Sequence, residues 1–342
     1  MKRPRLGFLG VGWIGRHRMN AILESGEADV VAIADNNAYV ASDAAKNAPN
    51  ACVVTSLDEL LDCDLDGVVI ATPSALHPEQ SIAALDRGVA VFCQKPLGRS
   101  QLETSRVIDA ARRANRLLGV DLSYRFTNAI DAMRREITSG RVGRVYAADL
   151  VFHNAYGPDK PWFYDAAESG GGCLIDLGIH LVDLALWMFG DVRAYNVRGQ
   201  LFVNGRPFVR DGRAVEDHAI AHIELEDGAV IRVACSWNLS AGCDAEIGAT
   251  FYGTRGAVAM RNENGSFYDF TAERFEKTSR ITLASPPDAW GGRAAVEWTR
   301  RLARDARFDE SIASLEEVAR VLDSIYEQSG GQAILPVLEL SA

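Results

Sequence analysis

The chain predicts a doubly wound, parallel α/β domain followed by an α+β domain built on a large, mostly antiparallel open sheet. Three observations predict this class. Short, unbroken apolar strands alternate with helical patterns from Leu6 to Asp121, the signature of a parallel sheet covered on both faces. After about Leu122 longer segments of period-two patterning take over, joined by turns such as Glu226-Asp227-Gly228 and Asn264-Gly265. A chain of 342 residues also exceeds one ordinary core, so two domains are expected, 1–122 and 123–342.

The first strand, Leu6 to Gly10, runs into Gly10-Val11-Gly12-Trp13-Ile14-Gly15 and then into a helical pattern through about Leu23. This is G-x-G-x-x-G in the strand–turn–helix setting that it requires. Gly10 permits the tight turn, Gly12 lets backbone approach a pyrophosphate, and Gly15 lets helix and strand pack closely. The helix start, with Trp13 and Ile14, offers unpaired N–H groups to phosphates. A second strand, Val30 to Ala34, ends in Asp35, twenty residues after Gly15, where an acidic group holds the adenosine ribose hydroxyls. Asp35 could instead cap the helix that starts near Ala38, a role open equally to Asn36 or Asn37. Together these features predict a Rossmann dinucleotide-binding domain. The carboxylate at 35 repels a 2′-phosphate and no Lys or Arg follows at 36–41, so NAD is preferred over NADP.

Three more strands follow, Gly67–Ala71, Val89–Cys93 and Leu117–Asp121, with helices between them. Ligands bind beyond the carboxyl ends of such strands. That draws attention to Asp35 with Asn36, to Thr72-Pro73 with His77 one turn later, and to Gln94-Lys95-Pro96. In the second domain, Ser123-Tyr124-Arg125-Phe126 leads into a helix to about Ser139. Strands are expected at 145–152, 192–202, 217–226, 229–237, 246–252 and 257–261, and helices at 289–304 and 314–328. Few helices remain to cover the far face of that sheet, so a homodimer or homotetramer through it is expected. The loop 153–164, with His153, Asn154 and Trp162, mixes amide and aromatic groups suited to a polyhydroxylated ligand.

The run 170–187 reads as a helix apolar almost all round, and such helices are buried. On α-helical spacing Asp176, His180 and Asp183 fall at i, i+4 and i+7, one stripe with no Lys or Arg in the run to neutralise it. Buried ionisable groups are costly unless paired or facing a cleft, which makes the stripe a candidate acid–base site. A core histidine tied down by a neighbouring aspartate fits the same run.

Composition bounds the partners. With 48% hydrophobic and 24% charged residues the chain is of the soluble globular type, and a net charge of −10 argues against nucleic acid. The six cysteines are spread without a C-x-x-C pair, so reduced thiols are expected and no metal site. The basic start, Lys2, Arg3 and Arg5, runs into a Gly-rich turn and not into a signal-type apolar block, and no membrane span is read in the sequence. A cytoplasmic location is the expectation.

The Gly10–Gly15 motif, Thr72-Pro73 with His77, Lys95-Pro96, Tyr124-Arg125-Phe126, Gly171-Gly172 through Asp176, Gly178 and His180, and Ser324–Ser329 resemble, in this order, the glucose–fructose oxidoreductase / inositol dehydrogenase / MocA family. The resemblance spans nearly the whole chain. It implies NAD(P)-linked oxidation of a secondary alcohol or lactol carbon on a sugar, inositol or related polyol. Non-catalytic NAD-binding regulators and NAD-dependent glycosidases of the same family are the alternatives. The chemistry suits the residues. His180, ordinarily titrating near pH 6.5, is the natural base for the hydroxyl proton. Lys95 would stabilise the developing negative oxygen, and Asp176 would bind a substrate hydroxyl and tune the imidazole. Cofactor contacts are expected from Gly10, Gly12, Trp13, Ile14, Gly15, Asp35, Asn36, Thr72, Pro73, His77, Gln94 and Lys95. Substrate contacts are expected from Lys95, Tyr124, Arg125, His153, Asn154, Trp162, Asp176 and His180. The family's usual Glu-Lys-Pro is Gln94-Lys95-Pro96 here, which removes a charge beside Lys95.

Overall fold

The computed structural model describes residues 3–190, 192–209 and 214–329. The first sheet holds β1 (Arg5–Leu9), β2 (Asp29–Ala34), β3 (Cys52–Val54), β4 (Gly67–Ile70), β5 (Ala90–Cys93) and β6 (Leu118–Val120), all parallel, in the order β3-β2-β1-β4-β5-β6. Val68, Val69, Ile70, Val91 and Phe92 are buried because helices cover both faces. The strand order reverses between β1 and β4, so their carboxyl ends diverge and open a crevice there. Strand β3 is absent from the sequence reading: it is three residues long with Cys52 and Val53 exposed, and so carries no apolar run.

The second sheet contains β7 (Val145–Asn154), β8 (Ala194–Val203), β9 (Arg206–Pro207), β10 (His218–Leu225), β11 (Val230–Ser236), β12 (Ala245–Gly253), β13 (Ala257–Asn262), β14 (Phe270–Glu276) and β15 (Ser279–Ala284). Their order is β15-β14-β13-β12-β7-β11-β10-β8-β9, antiparallel throughout except for the β7–β11 pair. The β10–β11 and β13–β14 connections are the expected Gly-containing turns. Strands β14 and β15 extend the sheet past the last strand read from sequence. Helices Asn128–Thr138, Ile179–Phe189 and Ser314–Ser329 lie on one face, over inward residues such as Leu150, Phe152, Ile231 and Val233.

Two expectations are revised. Helix Arg293–Arg304, assigned from sequence to the second domain, packs on the first sheet: Trp298 and Leu302 share a core with Leu6, Phe8, Val69 and Phe92. Gly67 and Gly119 make room for it, since a Cβ on either would stand 2.7 Å or 2.6 Å from the Trp298 ring. The segment Ala166–Phe189 is, by length and composition, apolar enough to cross a membrane, contrary to the sequence reading, but its most apolar window is 83% buried inside the protein. It is a core element here, enclosed between the second sheet and the first domain.

Candidate active site

The crevice between β1 and β4 continues across to the second domain as one cleft of about 1900 Å³. At its outer end the chain turns at Gly10 with φ of 83°, and Gly10 N–H donates to the Ala34 carbonyl at 2.8 Å. A side chain at Gly10 would meet the Ala71 carbonyl at 2.6 Å, and one at Gly15 would collide with the Gly10 carbonyl. A Cβ at Gly12 would meet nothing within 4 Å, because that position faces the open cleft. Gly12 begins helix Trp13–Ser25 and no side chain caps it, so the first N–H groups are left for an anion. This cradle fits a pyrophosphate. Trp13, 71% exposed, stands at its rim beside Ile14.

Asp35 accepts from Val11 N–H at 2.8 Å and from Asn37 N–H at 2.9 Å, which ties the glycine loop to the end of β2. The helix cap is Asn37, accepting from Tyr39 and Val40, so Asp35 is left to the cleft. Each carboxylate oxygen keeps a further lone pair for a ribose hydroxyl. Asn36, Thr72 and Pro73 line the same end. His77 is 1% exposed, and its Nδ1 and Nε2 lie 2.7 Å and 2.8 Å from the carbonyls of Pro96 and Thr72. Burial holds this imidazole below its usual pKa, although both carbonyls favour the charged form. The neutral ring has one N–H to give and donates it to one of these carbonyls, and His77 lines the cleft between the two loops that carry them.

At the inner end, Lys95 follows β5 in a cis Lys95–Pro96 peptide. Its Nζ donates to Asp176 twice, to Oδ1 at 2.6 Å and to the carbonyl at 2.7 Å. Trp237 Nε1 donates to Asp176 Oδ2 at 3.1 Å. Gln94 points away from Lys95: its amide donates to Asp121 Oδ2 at 2.6 Å, the oxygen that also receives Arg18 Nε at 2.6 Å. Ser123 completes this buried group by donating to Asp121 Oδ1 at 2.9 Å.

The segment that carries Asp176 is not a plain α-helix. Leu174–Gly178 is π-helical and Ile179–Phe189 is α-helical, and such a π-turn re-phases the side chains that precede it. The stripe serves two places: His180 and Asp183 stand at i and i+3 of the α-helix, but only His180 lines the cleft with Asp176. Asp176 and His180 line the cleft, while Asp183, 1% exposed, turns to Arg125, which donates Nε to Oδ2 at 2.8 Å and a second N–H to Oδ1. His180 is 7% exposed and stands edge-on to Tyr124, ring centroids 4.9 Å apart. Burial, then the Lys95 ammonium and the Arg18 guanidinium, hold its pKa well below the usual value. The imidazole is neutral at pH 7 and able to accept a proton.

The glycines before this segment are explained by close approach. A Cβ at Gly172 would collide with the Glu216 backbone carbonyl, and one at Gly171 with the Tyr326 hydroxyl. Glu216, fully buried, accepts from Gly172 N–H at 3.0 Å, Leu174 N–H at 2.9 Å and Tyr326 O–H at 2.7 Å. It fixes the start of the segment that presents Asp176 and His180. Sequence reading missed it, because an isolated Glu before a strand carries no motif.

Three expected substrate contacts lie elsewhere. Arg125 is consumed by Asp183. His153 falls on the opposite face of β7 from Phe152, stacks on His218 at 5.8 Å and meets Ser236 Oγ at 2.8 Å. Asn154 closes a turn by accepting from Tyr156 N–H at 2.8 Å. Tyr124 and Trp162 do line the cleft, joined by Phe163, Tyr268 and Trp290, which the sequence reading did not single out. Trp162 and Phe163 stack at 3.8 Å, and Trp290 lies 5.0 Å from the Tyr124 ring. This aromatic wall faces the Lys95–Asp176–His180 group.

Comparison with known proteins agrees with this geometry. A family profile described as an oxidoreductase family with an NAD-binding Rossmann fold matches residues 4–122, and one for the GFO/IDH/MocA C-terminal domain matches residues 130–259. The chain is 30% identical over 261 residues to 1,5-anhydro-D-fructose reductase of Ensifer adhaerens, covering 75% of this chain and 76% of that protein. It is 27% identical over 337 residues to inositol 2-dehydrogenase of Acidothermus cellulolyticus, covering 91% and 94%. Among solved structures, levoglucosan dehydrogenase in complex with NADH and levoglucosan shares the fold at a TM-score of 0.82 and 22% identity, covering 97% and 98% of the two chains. An NAD-binding glycine cradle, a β1/β4 switch-point cleft and two family profiles that together span most of the molecule lead to one assignment: the chain belongs to the Gfo/Idh/MocA family of NAD-binding oxidoreductases.

Proposed function

We propose that the protein is a dehydrogenase that oxidises a secondary alcohol, or a lactol carbon, of a sugar, inositol or related polyol, with NAD as the hydride acceptor. The observation that carries this reading is the convergence of Lys95, Asp176 and His180 at the inner end of the cleft whose outer end is the Gly10–Asp35 cradle. The names of the relatives, an anhydrofructose reductase and an inositol dehydrogenase, support a polyhydroxylated ring as substrate. NAD, when bound, takes the hydride from the substrate carbon. The protein's own residues manage the proton and the charge. His180 Nε2 or Nδ1, neutral and desolvated, accepts the hydroxyl proton. Lys95 Nζ, held by Asp176, donates a hydrogen bond to the oxygen on which negative charge builds. Asp176 and the Tyr124, Trp162 and Trp290 rings hold the remaining hydroxyls and C–H faces.

Asp35 supports NAD over NADP. We assign the outer face of the second sheet to self-association, as a homodimer or homotetramer. Across it, Gly248, Val151, Ala234 and Ile220 are register neighbours and form an apolar row, with Ile220 47% exposed. On this reading the enzyme works in the cytoplasm, with a sugar or polyol and not nucleic acid or membrane as its partner.

The test is a panel of aldoses, inositols and sugar lactones with NAD, followed at 340 nm. NADH formation with at least one neutral polyol is expected. His180→Ala and Lys95→Ala should each lower kcat by about 10²-fold or more, the usual size of a lost acid–base or oxyanion contribution, while NAD still binds. Near-normal turnover in either variant would overturn the catalytic assignment. Tight NAD binding without turnover across the panel would overturn the dehydrogenase reading.

A further inference from the structure

Cys52 begins β3 at the edge of the first sheet, and Cys63 follows Asp62, the C-cap of helix Leu57–Leu61. Their sulfurs lie 3.5 Å apart, with Cys52 exposed and Cys63 half-buried. The chain between them supplies Thr55, Ser56 and Leu57 to the cleft, on the side of Asp35 and Asn36. Local bonds hold this unit: Ser56 caps the helix, and Glu59 Oε2 accepts from Thr55 N–H at 2.8 Å and from its hydroxyl at 3.0 Å. The other close pair, Cys173 and Cys235 with sulfurs at 4.0 Å, is buried and shielded from any soluble oxidant.

We propose that Cys52 and Cys63 are a modification site: a reversible dithiol–disulfide pair that, when oxidised, ties β3 to the end of the next helix and weakens NAD binding at its adenosine end. The oxidant is a low-molecular-weight disulfide such as oxidised glutathione. The exposed Cys52 thiolate attacks one sulfur of that disulfide, forming a mixed disulfide and expelling one thiolate, which takes up the proton that Cys52 lost. Cys63, deprotonated in turn, attacks the Cys52 sulfur, forms the internal bridge and expels the second small thiol. The two cysteine sulfurs lose two electrons and the small disulfide gains them. Cys63 is the second nucleophile because partial burial and the Cys52 thiol beside it raise its pKa. A disulfide requires about 2 Å between sulfurs, so the sulfurs must close by about 1.5 Å, which draws the strand start and the helix end together. That movement passes to Thr55–Leu57. In a reducing compartment such a bridge is transient, as expected of a sensor and not of a structural staple.

The inference rests on NAD binding by the first domain and is independent of the substrate. The full-length protein is treated with oxidised glutathione, quenched with an alkylating agent and mapped as unreduced peptides, and NADH is titrated by fluorescence before and after. A Cys52–Cys63 cross-linked peptide is expected, and with the quench carried out in denaturant the other four of the six cysteines should be alkylated. The NADH Kd should rise about threefold or more, roughly 0.7 kcal/mol of lost binding, and dithiothreitol should restore it. Cys52→Ser and Cys63→Ser should each show neither effect and keep the reduced enzyme's Kd. Persistent glutathione adducts without a bridge, bridging at other cysteines, or a bridge that leaves the Kd unchanged would each overturn the proposal.

Discussion

Gln94 donates its amide to an Asp121 carboxylate that already holds the Arg18 guanidinium. Gln94→Glu would therefore set a second carboxylate against Asp121 at a site where Asp121 has no exposed side-chain surface. We expect that substitution to lower stability by about 1–3 kcal/mol, seen as a fall in Tm, and Gln94→Glu with Asp121→Asn to recover most of the loss. His180 gives a second expectation. Its pKa is depressed, so the neutral base persists at pH 7, and kcat/KM for oxidation should fall only as pH drops below about 6.5, the unperturbed histidine value. A pH–rate profile with an acid limb centred above 6.5 would show that another group titrates. At this scale the sequence disclosed residue types but not their partners. Lys95, Asp176 and His180 were legible because a motif and a strand end placed them. Arg125 was misread because its partner, Asp183, is 58 residues away in sequence.

The π-turn at Leu174–Gly178 and its Glu216 anchor act at the scale of one element. Glu216 is buried among three donors, and burial pushes its carboxyl up while those hydrogen bonds pull it down. Glu216→Ala would leave buried N–H groups unpaired at about 1–3 kcal/mol each, and it would loosen the segment that presents Asp176 and His180. We expect a lower denaturation midpoint together with a lower kcat. Glu216→Gln keeps one acceptor oxygen and should be the milder change in both. Strands with unbroken apolar runs, such as β4 and β5, were readable from composition alone. Strand β15 was not: four of its six residues are exposed, so no alternation marks it. The π-turn was also hidden, since apolar periodicity over a run apolar on every side cannot separate a 3.6-residue turn from a wider one.

For the whole molecule, self-association through the open face of the second sheet is the proposal to test. Ile220→Glu sets a charge in the middle of the Gly248–Val151–Ala234–Ile220 row. We expect the variant to run as a smaller species than the parent in size exclusion with light scattering, with secondary structure unchanged by circular dichroism. An unaltered mass would remove this face from the assembly. The two-layer plan of the chain was legible, because parallel and antiparallel sheets are patterned differently. The return of helix Arg293–Arg304 to the first sheet was not, since an amphipathic helix advertises an apolar face without naming the surface that it covers.

That return has a consequence for synthesis. When residues 1–122 have left the ribosome, the strands of the nucleotide fold are all present, but the face bearing Leu6, Val69, Phe92 and the side-chain-free Gly67 and Gly119 is still bare. It stays bare while the entire second sheet is made, until Trp298 and Leu302 arrive to close it. The first domain to be translated is thus among the last to be finished. A nascent chain stalled anywhere between the two sheets would display an apolar groove, a natural target for chaperone holding, and a gene fragment ending near residue 122 would be expected to yield an aggregating product in place of a free-standing nucleotide module.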